Sequence, residues 1–197
     1  MIERERTKYQ RMWAQPDYHR WSPGEQAVET FLAACPWTAG ETIIDLGCGT
    51  GRAGAALAKA GLKVRLLDIC REGLEVVDLP FTEACLWALP PFLPPHDWIF
   101  CVDVLEHLPP EYVGPALDQM AWLTVKGGYL QIALFEEICG KVINERLHLT
   151  LQPADWWQEQ IEARWMTVRG GDGIDVRGNS GYAKLVVGPR KGISDGE

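Results

Sequence analysis

The sequence lacks long apolar runs, and its cysteines lack any regular spacing. No segment approaches the roughly 18 consecutive apolar residues of a membrane-spanning helix, so we expect no membrane partner. The six cysteines include no CxxC pair and no nearby histidine at zinc-finger spacing. This pattern disfavours both a zinc module and a disulfide framework. We interpret the cysteines as small buried residues of a reducing compartment.

The chain is also short of positive charge and of any signal-peptide pattern. Its first residues, MIERERTKYQRMW, are charged from the third position and contain no apolar core, so we expect a cytoplasmic location. The net charge of −8 weighs against tight binding to nucleic acid, whose affinity depends largely on Lys and Arg. The basic residues concentrate near the two ends, where they form either a local positive rim or ordinary solvated surface. This charge balance disfavours a nucleic-acid partner.

What the sequence does contain is an alternation of short apolar strands and helical segments. Two helices are predicted over 3–14 and from Ser22 to about Cys35, with a break at Pro16. Strands and helices then alternate through ETIIDLG, GRAGAALAKAG, LKVRLLDI, FTEACLWALP, HDWIFCVDV, a helix ending at about Leu123, and VKGGYLQIALF. The remaining predictions are helical segments near 137–145 and 153–163 and strands near 164–169 and 182–187. This order predicts an α/β fold with a doubly wound, mostly parallel sheet in one domain over 1–197.

The glycine-rich stretch IIDLGCGTGRAG permits two interpretations. Gly49-x-Gly51-x-x-Gly54 satisfies the dinucleotide fingerprint, whereas Asp45-x-Gly47-x-Gly49-x-Gly51 is typical of S-adenosylmethionine sites. Both cofactors use a glycine turn that leads from a strand into a helix, and both favour an acid about 20 residues later. Asp68 serves either interpretation. The glycines alone therefore leave the cofactor open.

Asp45 favours S-adenosylmethionine. A carboxylate at the end of the first strand would repel the pyrophosphate of a dinucleotide, whereas it would attract the ammonium and sulfonium groups of S-adenosylmethionine. The length of 197 residues points the same way, because a dehydrogenase usually needs a further substrate domain. We therefore predict S-adenosylmethionine as the cofactor.

The stretch IIDLGCGTGR resembles the first motif of class I S-adenosylmethionine-dependent methyltransferases, and the resemblance extends across about residues 10–187. CVDVLEHLPP is similar to the segment after strand four in the small-molecule O-methyltransferases of quinone biosynthesis. YQRMWAQPDYHRWSPGE resembles the N-terminal lid of small members, including phage-encoded ones. The resemblance implies a seven-stranded Rossmann-like sheet of order 3-2-1-4-5-7-6 with strand 7 antiparallel. We expect a helical lid over 1–35, a core over 36–187 and a frayed tail over 188–197.

The resemblance also implies a set of cofactor contacts. The first motif would face the methionine and ribose through Asp45, Gly47, Cys48, Gly49 and Gly51. The second strand would bring the ribose diol to Asp68 and Ile69. The adenine would lie beside Glu83, Ala84 and Cys85, with its amino group on the Glu83 carboxylate. After strand four, the cofactor would be approached by Asp103 and Val104. Trp13, with Tyr18 and Trp21, forms either an aromatic lid over the sulfonium or a simple hydrophobic anchor for the first helix.

The predicted reaction is methyl transfer to an oxygen or nitrogen nucleophile of a small-molecule acceptor, with S-adenosylhomocysteine as the product. The protein must position the nucleophile and remove its proton, so a base is expected near the nucleophile. His107 is the preferred base, because it follows strand four at the ligand-binding edge of the sheet. Glu106 and His148 are expected to assist. The alternative for each is a packed or solvated residue without a chemical role.

Two DNA-methylation motifs are misplaced, and no metal site is evident. LPPF at Leu89–Phe92 is similar to the motif of amino-directed DNA methyltransferases, but that motif must follow strand four, where this chain reads DVLEH. Cytosine methylation needs a Pro-Cys dipeptide, which the sequence does not contain. We identify no acidic ligand set for a metal. Two alternatives to small-molecule transfer stay open: a cofactor-binding module without activity, and modification of a nucleotide or nucleic acid. The oligomeric state is undetermined.

Overall fold

The computed structural model describes residues 1–166, 168–169 and 181–192. The strands are β1 (Thr42–Leu46), β2 (Lys63–Asp68), β3 (Phe81–Glu83), β4 (His96–Val102), β5 (Thr124–Ala133), β6 (Val168–Arg169) and β7 (Tyr182–Val187). The α-helices are α1 (Ile2–Trp13), α2 (Pro23–Ala34), α3 (Arg52–Ala60), α4 (Pro110–Leu123) and α5 (Ala154–Glu162). Short 3-10 helices span Tyr18–Arg20, Leu105–His107 and Cys139–Ile143. The last of these stands where the sequence predicts a helical segment near 137–145.

The strands form one sheet of order β3-β2-β1-β4-β5-β7-β6. Strands β1 to β5 pair in parallel, and β7 runs antiparallel to β5. This order and the antiparallel β7 are as predicted from the family resemblance. Six strands have three or more residues, and the seventh, β6, includes two described residues at the sheet edge. The mostly parallel, doubly wound α/β architecture is confirmed.

Helices cover both faces of the sheet, because successive strand residues point to opposite faces. On one face, Ile44 belongs to a buried cluster with residues of α4 and α5, including Leu117 and Trp157. On the other face, the neighbouring Ile43 belongs to a cluster with residues of α2 and α3, including Phe31. The carboxyl ends of β1, β2 and β4 remain uncovered by either layer, and the polar residues collect there.

The N-terminal lid is shorter than predicted. The carboxyl edge of the sheet is covered by α1, by the 3-10 helix after it and by the first residues of α2, Pro23 and Gly24, whereas the rest of α2 packs against the sheet as part of the core. The Phe31 ring of α2 meets the rings of Trp98 and Phe100 edge-on, with centroids 6.0 and 5.9 Å apart. The apolar residues of α2 therefore serve the core, and the lid ends near Gly24.

The segment after β7 is partly bonded rather than frayed. The carbonyl of Pro189 accepts the backbone N–H of Met166 at 2.8 Å, and Lys191 donates its backbone N–H to the carbonyl of Arg164 at 2.8 Å. The expected frayed tail over 188–197 is thus too long at its beginning. Residues 193–197 lie outside the described part of the chain, as do the residues on either side of β6 that the sequence assigned to strands or loops.

Candidate functional site

Three aspartates mark the carboxyl edge of the sheet. Asp45 lies in β1, Asp68 ends β2, and Asp103 follows β4 directly. Two adjacent cavities open along this edge, with volumes of about 110 and 200 Å³. Asp68 lines the smaller cavity, Asp45 the larger, and Asp103 both. The edge is where ligands of open α/β sheets bind, so the sequence motifs and the cavities coincide.

The glycine loop after β1 is shaped for close approach of a ligand. Gly47 has φ +74°, and a Cβ there would collide with the side chain of Val104. Gly49 donates its backbone N–H to Oδ2 of Asp68 at 2.8 Å, which ties the loop to the end of β2. Both glycines line both cavities, and Cys48 lines the larger one. Gly51 lines neither; it is the left-handed residue that begins α3.

Burial raises the pKa of the acids at this edge. Desolvation, with the nearby Asp68 charge, raises the pKa of Asp45 to about 7, and Asp45 Oδ2 has no hydrogen-bond partner among the described residues. Desolvation raises the pKa of Asp68 to about 6, although backbone N–H groups of Gly49 and Cys70 oppose it. A buried carboxylate without a partner favours a cation. The ammonium group of a methionine tail meets that requirement at Asp45.

The raised pKa values predict that the free protein loses stability as the pH rises. An acid whose pKa is higher in the folded state contributes stability below its unfolded pKa, about 3.9, and loses it as the pH rises through the folded pKa. For Asp45 the window is therefore about pH 4 to 7. Urea unfolding at pH 5 and pH 7.5 should show the decline, and Asp45→Asn should flatten it by roughly 1 kcal/mol or more. Parallel pH profiles for the two proteins would contradict this account.

The adenine end of the smaller cavity is built from backbone and apolar groups rather than from the predicted acid. Ala84 and Cys85, which the sequence assigned to adenine, line this cavity together with Ile69 and Leu86. Glu83 does not line it: its side chain is 39% exposed and lies 3.6 Å from Nε of Arg6. The Glu83 side chain at the end of β3 is drawn outward to this arginine. The predicted contact between Glu83 and adenine is therefore not supported by the geometry.

One face of α1 forms the roof of both cavities. Trp13 lines both, and its ring packs against the backbone of Gly73 and of Gly49. Glu5 and Tyr9 line the smaller cavity. These three residues are four positions apart, so they share one helix face. Trp13 was predicted from the sequence to lie at the site, whereas Glu5 and Tyr9 were not, although their spacing from Trp13 indicates the same helix face.

Two histidines face each other at the junction of the cavities. The rings of His107 and His148 meet edge-on with centroids 4.7 Å apart. Nδ1 of His107 lies 2.7 Å from the hydroxyl of Tyr9. Nδ1 of His148 lies 2.7 Å from the carbonyl of Phe135, and because a carbonyl only accepts, this nitrogen carries the proton. Nε2 of His148 is therefore left as a proton acceptor.

The environment of His107 keeps its imidazole neutral. Burial lowers the pKa of His107 well below its ordinary value, and the electrostatic interactions with His148 and Lys8 lower it further. His107 lines both cavities, and His148 lines the larger one. The sequence placed both residues at this edge, and the structure brings them together as predicted. Their contact with Tyr9 could not be seen from the sequence.

Glu106 is placed differently from the prediction. It is fully buried, lines neither cavity, and its Oε1 accepts the backbone N–H of Ala133 at 2.9 Å. Burial and the nearby Asp103 raise its pKa well above the ordinary value. Its carbonyl also accepts the N–H groups of Leu149 and Thr150. Glu106 therefore ties the end of β5 to the segment that carries His148, and we assign it no contact with an acceptor.

The structure also groups Glu106, His107 and His148 as a possible metal-ligand set, which the sequence analysis did not identify. One ligand atom from each residue lies within 4.8 Å of the others, and the Oε2 atom of Glu106 has no hydrogen-bond partner among the described residues. One carboxylate and two imidazoles are ligands that divalent transition metals accept. The arrangement has the chemistry of such a site as well as that of a proton-accepting pair.

The basic residues near the N-terminus are largely neutralised by acids. Arg6, Lys8, Arg11 and Arg20 each lie within 4.0 Å of a carboxylate, and near the other end Arg164 does as well. Paired bases offer less positive potential to phosphate groups. No helix in the described ranges combines the length and apolar character needed to cross a membrane.

The strand order, the glycine loop after β1 and the acid that ends β2 are features that this structure shares with class I S-adenosylmethionine-dependent methyltransferases. Residues 43–128 match the family model described as a methyltransferase domain. The matched region contains the glycine loop, Asp68 and the segment with His107. S-adenosylmethionine is the cofactor of this class of protein.

Individual relatives agree with the class. A ubiquinone biosynthesis O-methyltransferase of Ralstonia nicotianae is 33% identical over 81 residues, which are 36% of this chain and 34% of that protein. The chain thus matches about a third of the length of that relative. A 1,6-didemethyltoxoflavin-N1-methyltransferase of Burkholderia thailandensis superposes with a TM-score of 0.53 at 19% identity, covering 86% of this chain and 76% of that one. A Pyrococcus horikoshii protein gives a TM-score of 0.65 at 11% identity, covering 89% and 99%. The two structural likenesses show the fold.

Proposed function

We propose that this protein transfers the methyl group of S-adenosylmethionine to an oxygen or nitrogen nucleophile of a small molecule. The observation that carries the proposal is the pair formed by the half-buried His107 and the buried His148, which line the larger cavity together with the glycine loop. A proton acceptor is needed there, because transfer to a hydroxyl or amine leaves a proton on the nucleophile. The relative from Ralstonia nicotianae is named for O-methylation in ubiquinone biosynthesis, and the neighbour from Burkholderia thailandensis for N-methylation.

The residues at the edge of the sheet fit the cofactor. Asp45 would hold the ammonium group, and Asp68 the ribose diol. Asp103 has φ +54° and accepts a hydrogen bond from Nε2 of Gln131 at 3.0 Å, which fixes its carboxylate beside the Gly47 loop. When bound, the cofactor supplies an activated methyl group on a sulfonium centre. The protein's contribution is to fix the nucleophile, accept its proton and exclude water through the α1 roof.

Either histidine can accept the proton, and their surroundings differ. His148 has its tautomer fixed by the Phe135 carbonyl, so its Nε2 is an acceptor. His107 becomes a base through Nε2 only when Nδ1 carries the proton and donates it to the Tyr9 hydroxyl. Because His107 stays neutral, it requires no deprotonation before it can act. We take His107 as the base and His148 as the neighbour that holds it in a neutral, ordered site.

The proposal is tested by measuring methyl transfer to a panel of small-molecule acceptors. The purified protein is incubated with methyl-tritiated S-adenosylmethionine and with matched phenols, catechols and aromatic amines, and both labelled product and S-adenosylhomocysteine are measured. The proposal expects release of S-adenosylhomocysteine that depends on the acceptor. Tight cofactor binding without release on any acceptor would instead support the alternative of a binding module. The Asp68→Ala variant, which should not bind the cofactor, provides the blank.

Tyr9→Phe is expected to lower kcat about 10-fold on any acceptor that turns over, because the hydrogen bond that sets the His107 tautomer is lost. Affinity for S-adenosylhomocysteine should stay within about 3-fold, since the phenyl ring keeps the roof packed. Tyr18→Phe is the matched control, because Tyr18 also lines both cavities but has no hydrogen bond to a histidine among the described contacts. Equal losses in the two variants would contradict a positioning role for Tyr9.

A further inference from the structure

The carboxylate of Glu5 is an acid at the roof of the smaller cavity. Glu5 is 4% exposed, yet it lines the cavity that contains Ala84 and Cys85. Its Oε2 pairs with the ammonium group of Lys8, which is also 4% exposed. No hydrogen bond to Oε1 is found among the described residues. A carboxylate has two acceptor oxygens, so this pairing leaves one of them for a donor in the cavity.

The position of Glu5 coincides with the adenine end of the cavity. Arg6, its neighbour in α1, donates from Nε to the carbonyl of Ile69 at 3.1 Å, which seats this turn of α1 over the end of β2. Burial, and to a lesser degree the Glu5 charge, raise the pKa of the Cys85 thiol to about 11, which puts Glu5 within electrostatic reach of the Cys85 side chain. The predicted acid, Glu83, is turned outward to Arg6.

We infer that Glu5 is the residue that recognises the adenine amino group of the cofactor, in the place that the sequence assigned to Glu83. The exocyclic amine is a donor without acceptor capacity, and Oε1 of Glu5 is an acceptor without donor capacity. A buried acceptor of this kind rejects a base that presents an acceptor instead, because two acceptors would face each other without a proton. The inference rests on the proposed function only in taking S-adenosylmethionine as the cofactor.

The lid therefore contributes to cofactor specificity as well as to covering the site. The ion pair with Lys8 engages Oε2 of Glu5, so it is Oε1 that faces the cavity. Arg6 pairs with the carboxylate of Glu83 and holds it outside the cavity. As a result, Glu5 and not Glu83 is the acid that faces the adenine end of the cavity.

The test compares S-adenosylhomocysteine with S-inosylhomocysteine, in which a carbonyl oxygen replaces the adenine amino group. Calorimetric titration of the wild-type protein should give at least about 10-fold tighter binding of the adenosyl compound. Glu5→Gln should bring the ratio close to 1, because the amide can both accept from the amine and donate to the carbonyl. Glu83→Gln should leave the ratio unchanged.

Two further variants keep the experiment decisive. Lys8→Met should preserve the ratio, because the Glu5 carboxylate remains. The double variant Glu5→Gln/Lys8→Met removes both buried charges. Its ratio of affinities for the two compounds should be close to 1, as in Glu5→Gln, even if the single variant folds poorly. The inference is overturned by a wild-type ratio near 1 with tight S-adenosylhomocysteine binding, or by loss of the ratio in Glu83→Gln alone. Failure of the wild-type protein to bind either compound would overturn the cofactor assignment and this inference with it.

Discussion

Replacing Asp68 with alanine is expected to weaken S-adenosylhomocysteine binding by about 100-fold or more. The carboxylate accepts the N–H of Gly49 at 2.8 Å and that of Cys70 at 3.3 Å, so it holds the glycine loop in its shape. It also stands where the ribose diol would donate. Two hydrogen bonds to a charged group contribute about 1.5–3 kcal/mol each, and 1.4 kcal/mol is a factor of 10 in affinity. Isothermal titration calorimetry measures the change directly.

A matched acid separates this effect from a general change in charge. Asp78 lies in the connection between β2 and β3 and is exposed, so Asp78→Ala alters the net charge equally without touching the loop. That variant should bind S-adenosylhomocysteine as the wild-type protein does. Thermal melting of both variants without ligand shows whether the fold is intact. Undiminished binding by a folded Asp68→Ala protein would remove the central contact of the cofactor site.

Replacing His107 with alanine is expected to lower kcat by about two orders of magnitude or more, with little change in affinity for S-adenosylhomocysteine. General-base catalysis typically contributes a factor of about 10² to 10⁴. Because burial lowers the pKa of His107, wild-type kcat should not fall as the pH passes downward through about 6.5, the ordinary histidine pKa. Steady-state rates from pH 6 to 8 on an acceptor identified by the screen measure both effects.

His148→Ala provides the comparison that assigns the base. If His148 only holds His107 neutral and ordered, its removal should relieve part of the lowering of the His107 pKa, so the decline in kcat should begin at a higher pH. A loss of rate in His148→Ala as large as that in His107→Ala, with no change in the pH profile, would assign the proton to Nε2 of His148 instead. Unchanged rates in both variants would mean that positioning alone suffices.

The backbone of the site was predictable because its determinants are local. The strand IIDL, the glycines after it and the acid that ends LLD lie within 26 residues of one another, and each has a direct physical requirement. Gly47 needs a positive φ and leaves room for Val104, whereas Asp45 and Asp68 end neighbouring parallel strands. The strand order followed from family resemblance. These features agree between sequence and structure.

The side-chain contacts of the lid were not predictable because they join residues far apart in the chain. Tyr9 meets His107 across 98 positions, and Arg6 decides the direction of Glu83, with which no local pattern connects it. The segment 1–35 likewise reads as two similar helices, but the apolar face of α2 is complementary to the sheet and that of α1 to the cavities. The different roles of Glu106 and His107 could not be predicted for the same reason, because the bond from Glu106 to the backbone of Ala133 joins residues far apart in the chain.

The way α1 is attached has a kinetic consequence. Arg6, Gln10 and Arg11 fasten the helix through polar contacts near the surface, and such contacts contribute little each. Its apolar attachment is a small cluster of Met12 with Ile143 and Leu147, separate from the two large clusters of the sheet. The helix can therefore lift while the sheet stays intact. The residence time of the spent cofactor would then depend on the strength of this small cluster.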